Sequence, residues 1–345
     1  MMIPSKRSLL TLASAVLVAF NMASPTMAKG DSQELAFWAG QAPQPEKIQK
    51  VLSAGNPADI LLLCVAPQKL DGLAGFNLNN QRGLFFSQKI RELPVLSRIA
   101  GKNSTLGPEK IIALHPSLIV DIGNFTPNYI DQAKKTEQLT HVPYVLFNGS
   151  LELTPKMLRA VGKALGTSDI TEPQAQWAQK ALDEGREHAK NEHRTVYLAR
   201  SADGLQSGQP GSIHTQALEW VGLKNVVQGN FKGLASVSPE QILLWNPDLI
   251  FTDNAGFYQT LFQDKNWAGL KAVKNKTVYL IPAIPFNWLD SPPGINRLMG
   301  IRWLTGLLEN KPAKDLVPEV QSFYKTFYHI DLSESDALKL LNSDK

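Results

Sequence analysis

The feature that most narrows what this chain can fold into is a duplication. GPEKIIALHPSLIVDIGN, residues 107–124, returns as SPEQILLWNPDLIFTDN, residues 238–254. Pro108, Glu109, Ile111, Pro116, Leu118 and Ile119 recur as Pro239, Glu240, Ile242, Pro247, Leu249 and Ile250, at a constant offset of 131, as from 108 to 239 and from 119 to 250. Self-similarity at so long a spacing marks two equivalent lobes, not a solenoid of short repeats.

Each copy has one physical reading. Proline in the first helical turn uses its fixed φ and sacrifices no donor there, and the glutamate after it complements the positive helix end. Short helices are therefore expected to start at Pro108 and Pro239. The second proline, preceded by His115 or Asn246, stops each helix, and residues 117–120 and 248–251 then run apolar as buried parallel strands do. Small polar residues follow: Gly123, Asn124 and Thr126 in one copy, Asp253, Asn254 and Gly256 in the other. Ligand crevices in open α/β sheets lie beyond the carboxyl ends of strands, so the repeat predicts two loops facing one cleft.

Lys6 and Arg7, the apolar run 9–20 and the small residues ending at Ala28 read as an export signal, removed near Ala28 and left out of the fold. Nothing later offers the roughly 20 apolar residues that spanning a membrane requires. Removing the signal takes away two cations and no acids, so the formal charge falls from +4 to about +2. That balance gives little electrostatic case for nucleic acid. Cys64 is the single cysteine, which excludes an intrachain disulfide; it reads as a buried strand thiol.

Residues 38–56 read as a polar lead-in, and 58–65 (ADILLLCV) as the first buried strand. Residues 76–101, with Asn77, Asn79, Asn80, Gln81 and Arg82 together, read as a long functional or mobile loop. A helix over 128–138 and a strand over 142–147 complete an N-terminal lobe at residues 29–152. The stretch 153–193 is helical, with 154–166 as one helix and 173–191 as another, N-capped by Thr171. As the only connection it resists bending, so small domain motions are expected. The second lobe, 194–345, starts with the strand 195–199, ending at Arg200. A Gly-rich loop, 206–214, leads into a helix at 215–222. Further on come a helix at 257–263, a strand at 277–281, and a helix capped by Ser291 with Pro292 and Pro293 in its first turn. The tail from Lys311 is helical, with its last dozen residues loosely held.

The paired PExI…P-x-L-I segments, the helical linker, GSIHTQALEWVG and PFNWLDSPPGINRLMGIRWL together resemble the class III periplasmic substrate-binding proteins. These receptors serve ABC importers of ferric siderophores, haem and cobalamin. The resemblance covers essentially the whole mature chain and specifies fold and transporter more than cargo. It implies an α/β fold of two Rossmann-like lobes with central, mostly parallel sheets, joined by a single long helix. It also implies a monomer, exported to the periplasm, that presents a small-molecule metal chelate to an inner-membrane ABC permease. In that family an acid at the start of one helix in each lobe meets basic permease residues, and these positions carry over to Glu109 and Glu240. The plain alternative is that both acids only favour helix N-termini.

With an iron(III) chelate, a ferric siderophore, as the leading cargo, the receptor needs aromatic walls, a few donors and positive charge. Strand ends nominate Arg200, Tyr258, Phe286 and Trp288; loops add Arg82 and His214; Trp38 is a further wall candidate. Arg200 ends a buried strand, where the alternative is an ion pair. His214 is the one imidazole placed to reach a metal, the alternative being a helix cap. Asp290 reads as support for the following helix. His115, His141, His188, His193 and His329 lie away from the expected cleft, which disfavours capture of a bare metal ion, and no cofactor is expected. Haem, cobalamin, a nickel or cobalt chelate and a molybdate-type oxyanion stay open as cargo. An exported enzyme is disfavoured: GxSxG, HExxH, Walker and GxGxxG motifs with suitable context are missing.

Overall fold

A computed structural model describes residues 34–101, 104–229 and 233–341. The expected export signal lies outside them. Among the described residues, no helix is long and apolar enough to cross a membrane.

The N-terminal lobe runs β1 (Ala36–Ala39), β2 (Val51–Ser53), α1 (Asn56–Val65), α2 (Gln88–Arg91), α3 (Pro108–Ala113), β3 (Leu118–Gly123), α4 (Pro127–Thr140) and β4 (Tyr144–Asn148). Its sheet has the order β1-β4-β3-β2, parallel except for β1, which lies antiparallel on the edge. Two helices follow, α5 (Thr154–Leu165) and α6 (Ser168–Ala189). The C-terminal lobe continues with β5 (Thr195–Ala199), β6 (Gln206–Gly208), α7 (Gln216–Trp220), β7 (Lys224–Asn225), β8 (Leu234–Ser236), α8 (Pro239–Trp245), β9 (Leu249–Thr252), α9 (Ala255–Thr260), α10 (Lys271–Lys274) and β10 (Val278–Leu280). Here the order is β10-β9-β5-β7, all parallel, with β6 and β8 forming a separate antiparallel ribbon. Helices α11 (Arg297–Leu308), α12 (Ala313–Phe323) and α13 (Glu334–Leu341) close the chain, with a π-helical turn at Tyr324–Tyr328 between the last two.

The duplicated segments thus enter two different sheets. Strand β3 lies between β2 and β4, and β9 occupies the matching place between β5 and β10. Both helices that lead into them start on the expected proline. In α8, Ser238 and Gln241 form a capping box: Gln241 N donates to Ser238 Oγ (3.3 Å) and Ser238 N to Gln241 Oε1 (3.0 Å). Each helix ends on a left-handed residue, His115 at φ 50° and Asn246 at φ 41°, just before its second proline.

Side-chain alternation shows where the core sits. Leu118, Val120, Val145 and Phe147 of one sheet join Val196, Leu198, Leu249 and Phe251 of the other in a single apolar cluster with α1, α5, α6, α11 and α12. The intervening residues point the other way. Ile119, Tyr144 and Leu146 pack under α4, and Tyr197 and Ile250 pack with Phe257 and Trp267. Both faces of both sheets are therefore buried, as parallel strands require, and the inner faces share one core. The link between the lobes is the long α6, packed on α5 and on α7 and α11 of the second lobe.

Five sequence expectations need correction. Residues 58–65 are helical, and the strand is Val51–Ser53 before them. An apolar run of that length, buried on every side, looks the same in either state; the Gly55-Asn56-Pro57 start, with Pro57 in the first turn, decides for helix. Cys64 is buried, but in a helix. Thr171 caps nothing: α6 begins at Ser168, with Thr171 buried against Gly162. Ser291 caps nothing either, because α11 starts at Arg297 and the Ser291 hydroxyl donates to Asp253 Oδ2 (2.6 Å). The tail as far as Leu341 is held, with Ala337, Leu340 and Leu341 buried.

Candidate functional site

Strand β5 ends at Ala199 and delivers Arg200 to its carboxyl rim, where Arg200 N donates to Gln206 O (2.8 Å) and Gln206 N donates back (3.3 Å). The 206–214 segment returns past β6 and places His214 just before α7. Asp290 arrives from a distant part of the chain, its turn fixed by Asn287, whose Oδ1 accepts from Leu289 N (2.9 Å) and Asp290 N (3.0 Å). These three side chains meet. Asp290 pairs with Arg200 and with His214 Nδ1, and Arg200 Nη1 lies 3.4 Å from that nitrogen. Asp290 is 2% exposed, and the side chains of Arg200 and His214 are 16% and 23% exposed, so the cluster is desolvated yet reachable.

Burial, and then the cations Arg200 and Arg297, push His214 down to about 4, so its imidazole is neutral at pH 7. A carboxylate only accepts, so the proton of the neutral ring sits on Nδ1 and leaves the lone pair on Nε2. Burial also lowers Arg200, an effect that Asp253 opposes, without approaching deprotonation at neutral pH.

Behind this cluster stands Arg297, the first residue of α11 and 3% exposed. Its Nη1 donates to Gln216 Oε1 (2.8 Å), its Nη2 to Gly149 O (2.8 Å) and its Nε to Gly294 O (3.1 Å). Gly149 follows β4, so this guanidinium ties the lobes together through a neutral oxygen. No described carboxylate pairs with it, and burial pushes it down to about 10, leaving it charged. On the first lobe's rim, Gly149 N donates to Gly123 O (2.9 Å), and a Cβ on Gly149 would come within 3.2 Å of Gly123 Cα. A side chain at Gly149 would press these two strand exits apart by a few tenths of an ångström. In the same lobe, Asp59 at the start of α1 holds the 74–75 loop by accepting from Ala74 N (2.7 Å) and Gly75 N (3.0 Å).

The other candidates fare differently. Arg82 does reach the second lobe, where Nη1 donates to Pro285 O (3.1 Å) and the guanidinium lies 5.0 Å from the centroid of Phe76. Tyr258 is half-buried on α9, edge to face with Phe262. Phe286 and Trp288 are both 0% exposed and are core residues: Phe286 packs on Phe76 (4.8 Å between centroids), and Trp288 on Trp303 (6.2 Å). Neither presents a wall to a ligand, because the turn that carries them folds inward under α11. Trp38 sits half-buried on the antiparallel edge strand opposite Val145 and packs against the shared core. Glu109 and Glu240 stand exposed in the first turns of α3 and α8. Sequence reasoning passed over Arg297 and gave Asp290 a structural role. The one available signal was two charged residues inside an otherwise apolar Pro-rich stretch. A groove of about 1150 Å³ opens elsewhere, between α6 and the α11–α12 pair, but its charges are largely ion-paired among themselves, as in Arg302 with Glu184 and Glu319.

Residues 90–285 match the family model described as periplasmic binding protein. The chain is 31% identical to an ABC transporter solute binding protein from Sulfurospirillum deleyianum whose structure superposes with a TM-score of 0.78, covering 87% of this chain and 95% of that one. It is 29% identical over 126 residues to the molybdate-binding protein MolA of Haemophilus influenzae, a match spanning 35% of this chain and only about a third (36%) of that curated relative. The molybdate-bound structure of MolA superposes with a TM-score of 0.67 at 18% identity, covering 85% of this chain and 96% of MolA. The vitamin B12 binding protein BtuF of Vibrio cholerae shares the fold at 18% identity and a TM-score of 0.59, covering 76% of this chain and 98% of BtuF.

Proposed function

The chain belongs to the periplasmic binding protein family, and on that premise we propose that it captures a small metal oxyanion of the molybdate kind between its lobes and delivers it to an ABC permease. Membership in that family implies work in the periplasm and supports reading the chain as a carrier. The observation that carries the anion reading is Arg297, a buried guanidinium between the lobes held by three neutral oxygens. Such a charge, sealed from water and paired with no described carboxylate, favours an anion in front of it far more than a surface cation would. Arg200 supplies a second cation at the rim, which an arriving oxyanion draws from Asp290, and the neutral His214 offers a nitrogen without adding charge. Burial of Phe286 and Trp288 removes two of the walls a large catecholate would need. The sequence match to a molybdate binder points the same way.

An iron(III) chelate is the second reading, favoured by His214: a histidine whose Nδ1 is fixed by a carboxylate is arranged as metal-ligating histidines are. Thermal unfolding against molybdate, tungstate, a ferric catecholate, haem and cobalamin separates the two. Molybdate at a hundredfold its Kd should stabilise the protein by about 2.7 kcal/mol, and Arg200→Gln should abolish the shift. A response to the ferric catecholate alone, lost in His214→Ala, transfers the site to the chelate. Silence toward all five ends both readings.

A further inference from the structure

The two copies of the repeat share more than their acids. In each short helix one isoleucine is anchored in the outer core of its lobe, Ile111 and Ile242, both 1% exposed. Anchoring that face turns the next position outward. Ile112 is 46% exposed, and its repeat partner Leu243 is 44% exposed, with Leu244 beside it at 83%. Each lies one helical turn after the exposed Glu109 or Glu240, on the neighbouring surface. Next to α3, Leu139 of α4 is 51% exposed on the wall of a 540 Å³ groove that also includes Pro108 and Ile111. Single exposed aliphatic side chains are ordinary on a protein surface, but here Ile112 and Leu243 recur at matched positions of the repeat, Leu243 beside Leu244, each next to an exposed acid.

We propose that Ile112 and Leu243, with Leu244, are the apolar half of a two-part docking surface, each lobe offering its permease one acid and one aliphatic contact. This rests on the permease-delivery reading above and adds the chemistry of the contact. Features related by the repeat call for a partner that presents the same receptor twice, as a membrane transporter with two equivalent halves does. The acids require that receptor to be basic beside an apolar recess. A second copy of this chain is disfavoured, since it would set carboxylate against carboxylate. Both first turns lie at the rims where the strands end, because each helix runs back along its sheet before feeding the next strand, so docking occurs beside the cleft mouth.

The test is photo-cross-linking to inner-membrane vesicles that contain the ABC permease, with a photoreactive residue at 109, 112, 240, 243 or, as a control, at Leu84, which is 50% exposed and belongs to neither helix. Mass spectrometry of the adducts identifies the partner. Positions 112 and 243 should label the permease and position 84 should not. As a competitor, the double variant Ile112→Gln/Leu243→Gln should need about tenfold more protein than wild type, with its melting temperature and ligand response unchanged. If Glu109→Gln/Glu240→Gln weakens competition while the aliphatic variant competes as well as wild type, the apolar contact is refuted and acid docking stands. Adducts to a second copy of this chain overturn the proposal. Absence of permease adducts from every position, the acids included, refutes the delivery reading itself.

Discussion

At His214 the surroundings change the chemistry of the side chain. Its ring is held at about 4 by burial and by Arg200 and Arg297, against roughly 6.5 in an unfolded chain. Between those values the unfolded state binds the extra proton, so His214 costs stability progressively as pH falls from about 6.5 to 4. Asp59 and Asp121, both raised to about 6 by burial, act in the opposite sense, since they hold protons longest in the folded state. The expected result is therefore a difference measurement. Relative to wild type, His214→Gln should gain melting temperature at pH 5 compared with pH 7. A gap that does not change between the two pH values would show that the histidine titrates normally.

Among the elements, α11 is packed with little tolerance at Gly300. A Cβ on Gly300 would lie 2.1 Å from Trp288 O and 2.7 Å from Leu289 Cδ2. The backbone carbonyl cannot rotate aside as a side chain can, so α11 would have to lift from the turn that carries Trp288 and Asp290. Gly300→Ala should cost about 2 kcal/mol and, through Asp290, should weaken ligand binding as well. Gly269→Ala, where a Cβ meets only an ordinary contact with Leu243, should leave both nearly unchanged. Thermal melts with and without ligand check the pair. A Gly300→Ala protein as stable as wild type would show that α11 is not seated on the turn as described. Helices α3 and α8 show the opposite regime, in which local chemistry is enough. Proline at the start and a second proline after the end were both legible, and the elements formed where those residues stand; the left-handed turn at His115 and Asn246 came from the structure.

For the whole molecule, the decisive fact is that the inner faces of both sheets enter one apolar cluster. Two lobes with separate cores would melt in two steps; a shared core couples them. Calorimetry should show one cooperative transition whose calorimetric and van't Hoff enthalpies agree. Two resolved transitions would mean that the shared cluster contributes little. The same coupling, with α6 packed along both lobes and Arg297 bonded across to Gly149, predicts only a small change in radius of gyration when ligand binds.

The sequence by itself determined the duplication, the starts and stops of the repeated helices, the strands after them and the helical link, because each depends on backbone preferences within a few residues. It could not tell a fully buried helix from a fully buried strand at 58–65, since both present an unbroken apolar run. Nor could it assign Phe286 and Trp288 to the core. Only the tertiary structure brought Asp290 to Arg200 and His214, and set Arg297 against the carbonyl of Gly149, 148 residues away in the chain. Burial and charge pairing are properties of surfaces that meet in space. The composition of one segment carries no record of which distant segment will cover it.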